Sequence, residues 1–292
     1  MKPAPFEYHA PGSLEEALSL KKEHGGEASI LAGGQSLVPS MNFRVLQPSR
    51  LIDLNRVAEL SYIRENGEAL RIGAMARERH LEFDPQIEKR IPLLHEAVPF
   101  IAHPQIRNRG TIGGSIVHAD PAAELPMLMI ASNARLKAKN APGERWIDAK
   151  DFFAGMFTTA LEPDEILVEI ELPFNPPRTG WSFLEVAPRA GDYAMMGVAA
   201  LVTLDETGKC KSAKLVYLNA GDGPVDAVEA ARMLIGEKIS DTSIASAAAH
   251  ASEKESNPFG NIHASAEFQR HLARVLTKQA LQKANLRAGE MQ

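Results

Sequence analysis

Two short glycine-bearing stretches are where residue type and spacing could do chemistry: Leu31-Ala-Gly-Gly-Gln-Ser-Leu-Val38 and Gly110-Thr-Ile-Gly-Gly-Ser115. A backbone without Cβ can approach a ligand closely and present successive amide donors, an arrangement that suits a diphosphate. The second stretch adds the hydroxyls of Thr111 and Ser115 and follows Arg107 and Arg109, so two such loops could share two phosphates. Neither stretch is G-x-G-x-x-G, and the chain has no G-K-[ST], so the Rossmann and P-loop readings fail on inspection. Grip by a helix N-terminus after a Rossmann strand is therefore not expected. Either glycine pair alone is equally well a tight turn; only the two together carry a signal.

The segment that follows, Ser115 to Pro126, places His118, Asp120 and Glu124 along an otherwise apolar run. Carboxylates there could accept hydrogen bonds from ribityl or ribose hydroxyls. Asp120-Pro121 also reads as a helix start, since Asp caps well and Pro suits the first helical position, and both roles are compatible. Tyr193 precedes the apolar run Met195–Ala200, where an aromatic ordinarily serves packing. The histidines at 9, 80, 95, 103, 250, 263 and 271 lack metal-ligand spacing. The single cysteine, Cys210, reads as a small buried hydrophobe, and it can form neither an internal disulfide nor a cluster site. No metal is expected on this chain.

The elements that must position these residues follow from periodicity and caps. Ser13-Leu-Glu-Glu16 is a capping-box pattern opening a helix, Ala28–Ala32 is a short buried strand ending on Gly33-Gly34, and Leu51–Leu54 is a second strand. Residues 1–57 thus form a small α/β unit. Between 58 and 176, strands are expected at Leu70–Gly73, Ala134–Ala138 and Ile166–Leu172, with helices near Ile91–Ile101 and Ala123–Ile130. Asn175-Pro-Pro177 breaks the chain, and residues 177–292 form a third unit. In it a hairpin of Gly197–Leu204 and Ser212–Leu218 turns at Asp205–Gly208, and helices follow at Val225–Leu234, Ile244–Ser252 and Ser265–Leu281. The fold class is α+β.

With 292 residues the chain can build two or three packed units. Charged residues at 24% and hydrophobic residues at 45% are ordinary globular values, which excludes a disordered or fibrous protein. A net charge of −5 without a run of lysines or arginines speaks against a nucleic-acid partner. No apolar run is long enough to span a membrane and the N-terminus lacks a secretory pattern, so a cytoplasmic location is expected.

In combination these motifs resemble those of the FAD-binding medium subunit of xanthine-oxidase-type molybdenum hydroxylases, above all the carbon monoxide dehydrogenase medium-subunit group. The resemblance spans essentially the whole chain. It rests on Phe6-Glu-Tyr8 with Ser13–Ala17, Ala32–Leu37, Ile106–Ser115, His118–Pro126, Leu161–Leu167, Gly191–Ala194 and Ser265–Leu272. It implies a fold of the vanillyl-alcohol-oxidase type, in which two subdomains clasp FAD, followed by a C-terminal α+β domain with an antiparallel sheet. It implies that Leu31, Ala32, Gly33, Gly34, Gln35, Ser36, Leu37 and Val38 together with Thr111, Ile112, Gly113, Gly114 and Ser115 wrap the FAD diphosphate and adjoining parts. His118, Asp120 and Glu124 fall in the cofactor-contacting stretch, Ile101 and Leu167 line the cofactor, and Tyr193 lies beside the flavin ring.

The same resemblance implies partners: a large molybdopterin-binding subunit and a small iron-sulfur subunit, assembled as a dimer of heterotrimers, with electrons passing from the clusters to FAD here and on to an external acceptor. No residue of this chain need be catalytic, because the flavin carries the redox chemistry. Pro188 and Lys278-Gln279 depart from the family pattern, where basic residues are common. A stand-alone FAD-dependent oxidase or reductase is the alternative, and a non-enzymatic nucleotide-binding module is a third reading.

Overall fold

A computed structural model describes residues 1–290. The first layer is a small parallel sheet: β1 (Glu7–His9), then α1 (Leu14–His24), β2 (Ala28–Leu31), α2 (Leu37–Asn42) and β3 (Arg50–Asp53), with β3 central. Ser13 caps α1 by accepting from the Glu16 amide, while the Glu16 carboxylate reaches back to the Gly12 amide, one residue earlier than a strict capping box requires. β1 was not foreseen; its side chains are polar and largely exposed, so it carries no apolar alternation, and its pairing with Arg50–Ile52 defines it.

The second layer is an antiparallel sheet in the order β4 (Ile63–Asn66), β5 (Ala69–Gly73), β10 (Ile166–Pro173), β6 (Arg135–Lys139), β7 (Glu144–Asp148), with a cluster of short helices packed on it. Those helices are α3 (Glu78–Phe83), α4 (Pro85–Arg90), α5 (Pro92–Ala97), α6 (Pro104–Arg107), α7 (Ile112–His118) and α8 (Glu124–Ala131). Prolines at the first turn of α4, α5 and α6 explain their brevity: each favours a new helix start and ends the preceding run. The remaining strands are β6 (Arg135–Lys139), β7 (Glu144–Asp148), a small ribbon of β8 (Phe153–Gly155) and β9 (Thr158–Thr159) after α9 (Ala149–Phe152), and β10 (Ile166–Pro173). α8 falls where a helix near Ala123–Ile130 is expected; Asp120-Pro121 does not open it, because the Asp120 carboxylate accepts from the Ala122 amide in a local turn and the helix starts after that turn.

The third layer is the antiparallel sheet β11 (Thr179–Val186), β12 (Met196–Leu204), β13 (Cys210–Leu218) and β14 (Val225–Asp226), backed by α10 (Val228–Arg232), α11 (Asp241–His250) and α12 (Ala266–Glu290). Val225 was expected in a helix; it pairs with Tyr217 as an edge strand instead, since β13 still offers free ladder groups there. Every residue of β12 is buried. Phe183, Ala199, Leu201, Val216 and Leu218 face the core shared with α5 and α8, while Met196, Val198, Ala200, Val202, Leu215 and Tyr217 face α10–α12. Cys210 lies buried on that second side, as expected, and burial pushes its thiol up to about 11.

Candidate functional site

A cleft of about 700 Å³ opens between the first and second layers and reaches the loop before β12. That volume sits inside the range of about 300–1,000 Å³ for ligand pockets. Its wall brings together Ala32, Gly33, Gly34, Gln35, Ser36, Leu37, Ile101, Thr111, Gly113, Gly114, Ser115, His118, Asp120, Glu124, Leu167 and Tyr193, which lie far apart in sequence.

Leu31, Val38 and Ile112 do not line the cleft. Leu31 ends β2, and its side chain, like that of Val38, lies against Gly34. Ile112 is wholly buried in the main core, with its amide donating to the Ala76 carbonyl.

The two glycine segments are built differently, which corrects the expectation of two equivalent loops. The first is a true turn: β2 ends at Leu31, Gly34 adopts a φ of +74° that other residues rarely tolerate, and α2 begins at Leu37. Among the described residues, the amides of Gly33, Gly34, Gln35 and Ser36 have no protein acceptor. Gln35 folds back, its side-chain amide donating to the Gly33 carbonyl. The second segment is the first turn of α7, capped by Thr111. Its amides from Ile112 on are committed to the protein: Gly113 donates to the Ala74 carbonyl, Gly114 to the Thr111 hydroxyl and Ser115 to the Thr111 carbonyl. Its glycines matter for closeness, since a Cβ on Gly113 would lie 2.6 Å from the Ala74 Cβ.

The arginines ahead of the second segment do not serve the cleft either. Arg107 is buried; it donates to both Glu82 carboxylate oxygens and to the carbonyls of Ile101 and Ala102. The Arg109 carbonyl accepts from Arg77, which also donates to the Asn55 side-chain oxygen at 2.5 Å. Among the described residues, no arginine lines the cleft. Its lysine is Lys21, buried at one end with Nζ donating to the carbonyls of Gly25 and Ala28, both at 2.8 Å. An anion here would therefore be met by backbone amides rather than by guanidinium forks.

Sequence reasoning missed Glu78, at the start of α3, which is 4% exposed and forms part of the wall. Burial, and then the Glu124 charge, push its carboxyl up to about 8. Burial likewise raises Glu124 to about 7. Both shifts favour the protonated acids, so the wall is less anionic than its carboxyl count suggests. Burial lowers the pKa of His118, whose ring lies 5.2 Å from that of Phe157 and which therefore faces the cleft as neutral imidazole. Tyr193 stands at the mouth, 69% exposed, in the Gly191–Tyr193 loop packed against His103.

Residues 4–175 match the family model described as the FAD binding domain in molybdopterin dehydrogenase, and residues 181–284 match the CO dehydrogenase flavoprotein C-terminal domain. The chain belongs to this flavoprotein family.

Its relatives extend the match end to end. The 6-hydroxypseudooxynicotine dehydrogenase complex subunit alpha of Paenarthrobacter nicotinovorans is 43% identical, over 99% of this chain and 97% of the relative. The carbon monoxide dehydrogenase medium chain of Hydrogenophaga pseudoflava is 38% identical, over 97% of this chain and 98% of its own length. The solved carbon monoxide dehydrogenase of that organism, in a form lacking the Mo-pyranopterin moiety of its cofactor, superposes with a TM-score of 0.95 and 38% identity, covering 98% of this chain and 99% of the other. Pro188 and Lys278-Gln279 do not line the cleft.

Proposed function

We propose that this chain is the electron-relay subunit of a molybdenum hydroxylase and that the cleft holds FAD, gripped mainly by the Gly33–Ser36 turn. The observation that carries this reading is the run of unpartnered amides at Gly33, Gly34, Gln35 and Ser36 on the wall of a cofactor-sized cleft. A concave set of amide donors suits a diphosphate without needing a cation. The second glycine segment supplies the adjoining wall; Gly113 lets it pack against Ala74, and Gly114 lets it lie beside Ala32 and Gly33.

In this reading Asp120 and Glu124 accept from sugar and ribityl hydroxyls, Ile101 and Leu167 cover apolar parts of the cofactor, and Tyr193 lies against the flavin ring at the mouth. The bound flavin supplies one- and two-electron redox chemistry, and this chain binds, orients and tunes it. The chain divides into units 1–57 and 58–176, which clasp the cofactor, and 177–292, which brings Tyr193 to it. Its partners are a large molybdopterin-binding subunit and a small iron-sulfur subunit, arranged as a dimer of heterotrimers. The assembly is placed in the cytoplasm as part of the same proposal. Among the described residues no helix is long and apolar enough to cross a membrane.

Affinity purification of the full chain from its native cells tests the assembly: molybdenum, iron and FAD should accompany two further chains. Recombinant chain alone should take up FAD and turn yellow but oxidise no organic substrate. Turnover of an organic substrate by the isolated chain would favour a stand-alone flavin oxidase, and failure to take up FAD would end both flavin readings.

A further inference from the structure

Glu78 is a buried carboxyl with no assigned role, and its surroundings are unusual. It is 4% exposed and on the cleft wall, yet its Oε2 is shielded from solvent and has no hydrogen-bond partner. An unmade hydrogen bond at a buried oxygen is costly, and a native structure keeps few of them without a reason.

The carboxyl lies flat on Gly110: a Cβ built on that glycine would fall 2.3 Å from Oε2 and 2.6 Å from Cδ. Gly110 in turn packs against Gly33, so the carboxyl, Gly110 and the turn with the free amides form one stack. The charged groups that face it are Arg77 at the cap of its own helix, Arg107 of α6 and Glu124 of α8. Both arginines are committed elsewhere, Arg107 to Glu82 and Arg77 to Asn55 and the Arg109 carbonyl. No cation therefore bonds to Glu78, and Glu124 opposes its ionisation.

A carboxylate in that place would repel a diphosphate held by the adjoining turn, whereas a carboxylic acid brings one more donor to it. We propose that Glu78 is held as the neutral acid and donates a hydrogen bond to an anionic diphosphate oxygen of the cofactor, making it a pH-sensitive binding residue. The proposal rests on the FAD reading above. Ligand binding and ionisation of Glu78 then oppose one another: the free site loses its donor and gains a charge as pH rises through about 8.

The test is FAD affinity of the full chain, followed by quenching of flavin fluorescence between pH 7 and pH 9. Affinity should weaken about tenfold over that range, the loss set by one ionisation near its middle that the bound anion suppresses. Glu78→Gln keeps a neutral donor; it should bind within about threefold of the parent at pH 7 and lose the weakening at alkaline pH. Glu78→Ala should bind more weakly already at pH 7. If Glu78→Gln weakens with pH in parallel with the parent, or the parent shows no weakening, the proposal is overturned. A parent chain that binds no FAD at any pH overturns the cofactor reading beneath it instead.

Should Glu78→Gln not fold, calorimetry of FAD binding in buffers of different ionisation enthalpy decides on the parent and on Glu124→Gln. The parent should take up about half a proton per FAD at pH 8, and Glu124→Gln at least as much, since loss of the Glu124 charge eases ionisation of Glu78 in the free site. Uptake that is absent from the parent, or that vanishes in Glu124→Gln, overturns the proposal.

Discussion

Gly33 packs directly onto Gly110: a Cβ on Gly33 would lie 2.8 Å from the Gly110 Cα and 2.5 Å from the Arg109 carbonyl oxygen. Both neighbours are backbone, so neither can swing aside as a side chain could. Gly33→Ala should therefore cost about 1–3 kcal/mol of stability and displace the turn whose amides face the cleft. Thermal melting should show the loss, and the purified chain should retain little FAD. A variant with parental melting temperature and full flavin content would refute the contact as a constraint.

Tyr193 gives the opposite profile. It is 69% exposed in the described chain, so Tyr193→Ala should leave the stability of the flavin-free protein within about 0.5 kcal/mol. The bound flavin should nevertheless report its loss as a changed visible spectrum and fluorescence yield. Identical flavin spectra in parent and variant would remove Tyr193 from the site.

Glu185 on β11 is a second orphan, with Oε2 buried and unpartnered. Burial, then the Glu124 charge, raise its carboxyl to about 8 from an ordinary 4.5. Between those values the unfolded chain releases the proton while the folded one keeps it, so stability falls as pH rises through that window and levels off above it. Glu185→Gln removes the penalty. It should gain about 1–3 kcal/mol at pH 8 and differ little from the parent at pH 4. Urea unfolding at both values measures the difference; equal gains at the two would show that ionisation is not its source.

Glu96 on α5 ties the helical cluster to the end of the chain. Its carboxylate accepts from Lys283 at 2.8 Å, from Arg287 at 2.5 Å and from the Phe183 amide at 3.2 Å. Burial alone would raise its pKa, but the bonds from Lys283, Arg287 and Phe183 outweigh it and hold the carboxyl below its ordinary 4.5. The stability it contributes is present above 4.5 and lost as pH falls below that value. Allowing for the partly exposed partners, Glu96→Gln should cost about 1–2 kcal/mol at pH 7, and the cost should shrink in acid. A cost that persists unchanged at pH 3 would mean that shape, not charge, ties the layers together.

Much of this fold could be read from local pattern. The hairpin of β12 and β13 announces itself by two apolar runs around Asp205–Gly208, and α12 by Phe268, Leu272, Val275 and Leu276 at helical spacing. The cleft was legible at the residues whose chemistry is unusual in itself, glycine pairs and carboxylates in an apolar run. What escaped was set by partners distant in sequence. β1 exists because β3 offers it a ladder, and Thr111–Ser115 became a helix start because Ala74 and Ala76 take its amides. Glu78 looks like any surface glutamate until Gly110 is folded onto it.

The doubly covered strand β12 bears on exchange of parts between relatives. Because Ala199 and Leu201 face the helices that precede residue 176 while Val198, Ala200 and Val202 face α10–α12, a chimaera joined near Asn175 puts one parent's strand against the other parent's α5 and α8. Apolar volume lost on one side of that strand can be made good only from the same side. Such grafts will fold in proportion to how well the alternate residues of β12 suit the helices they inherit, so the seam to preserve is a face of this sheet rather than a point on the chain.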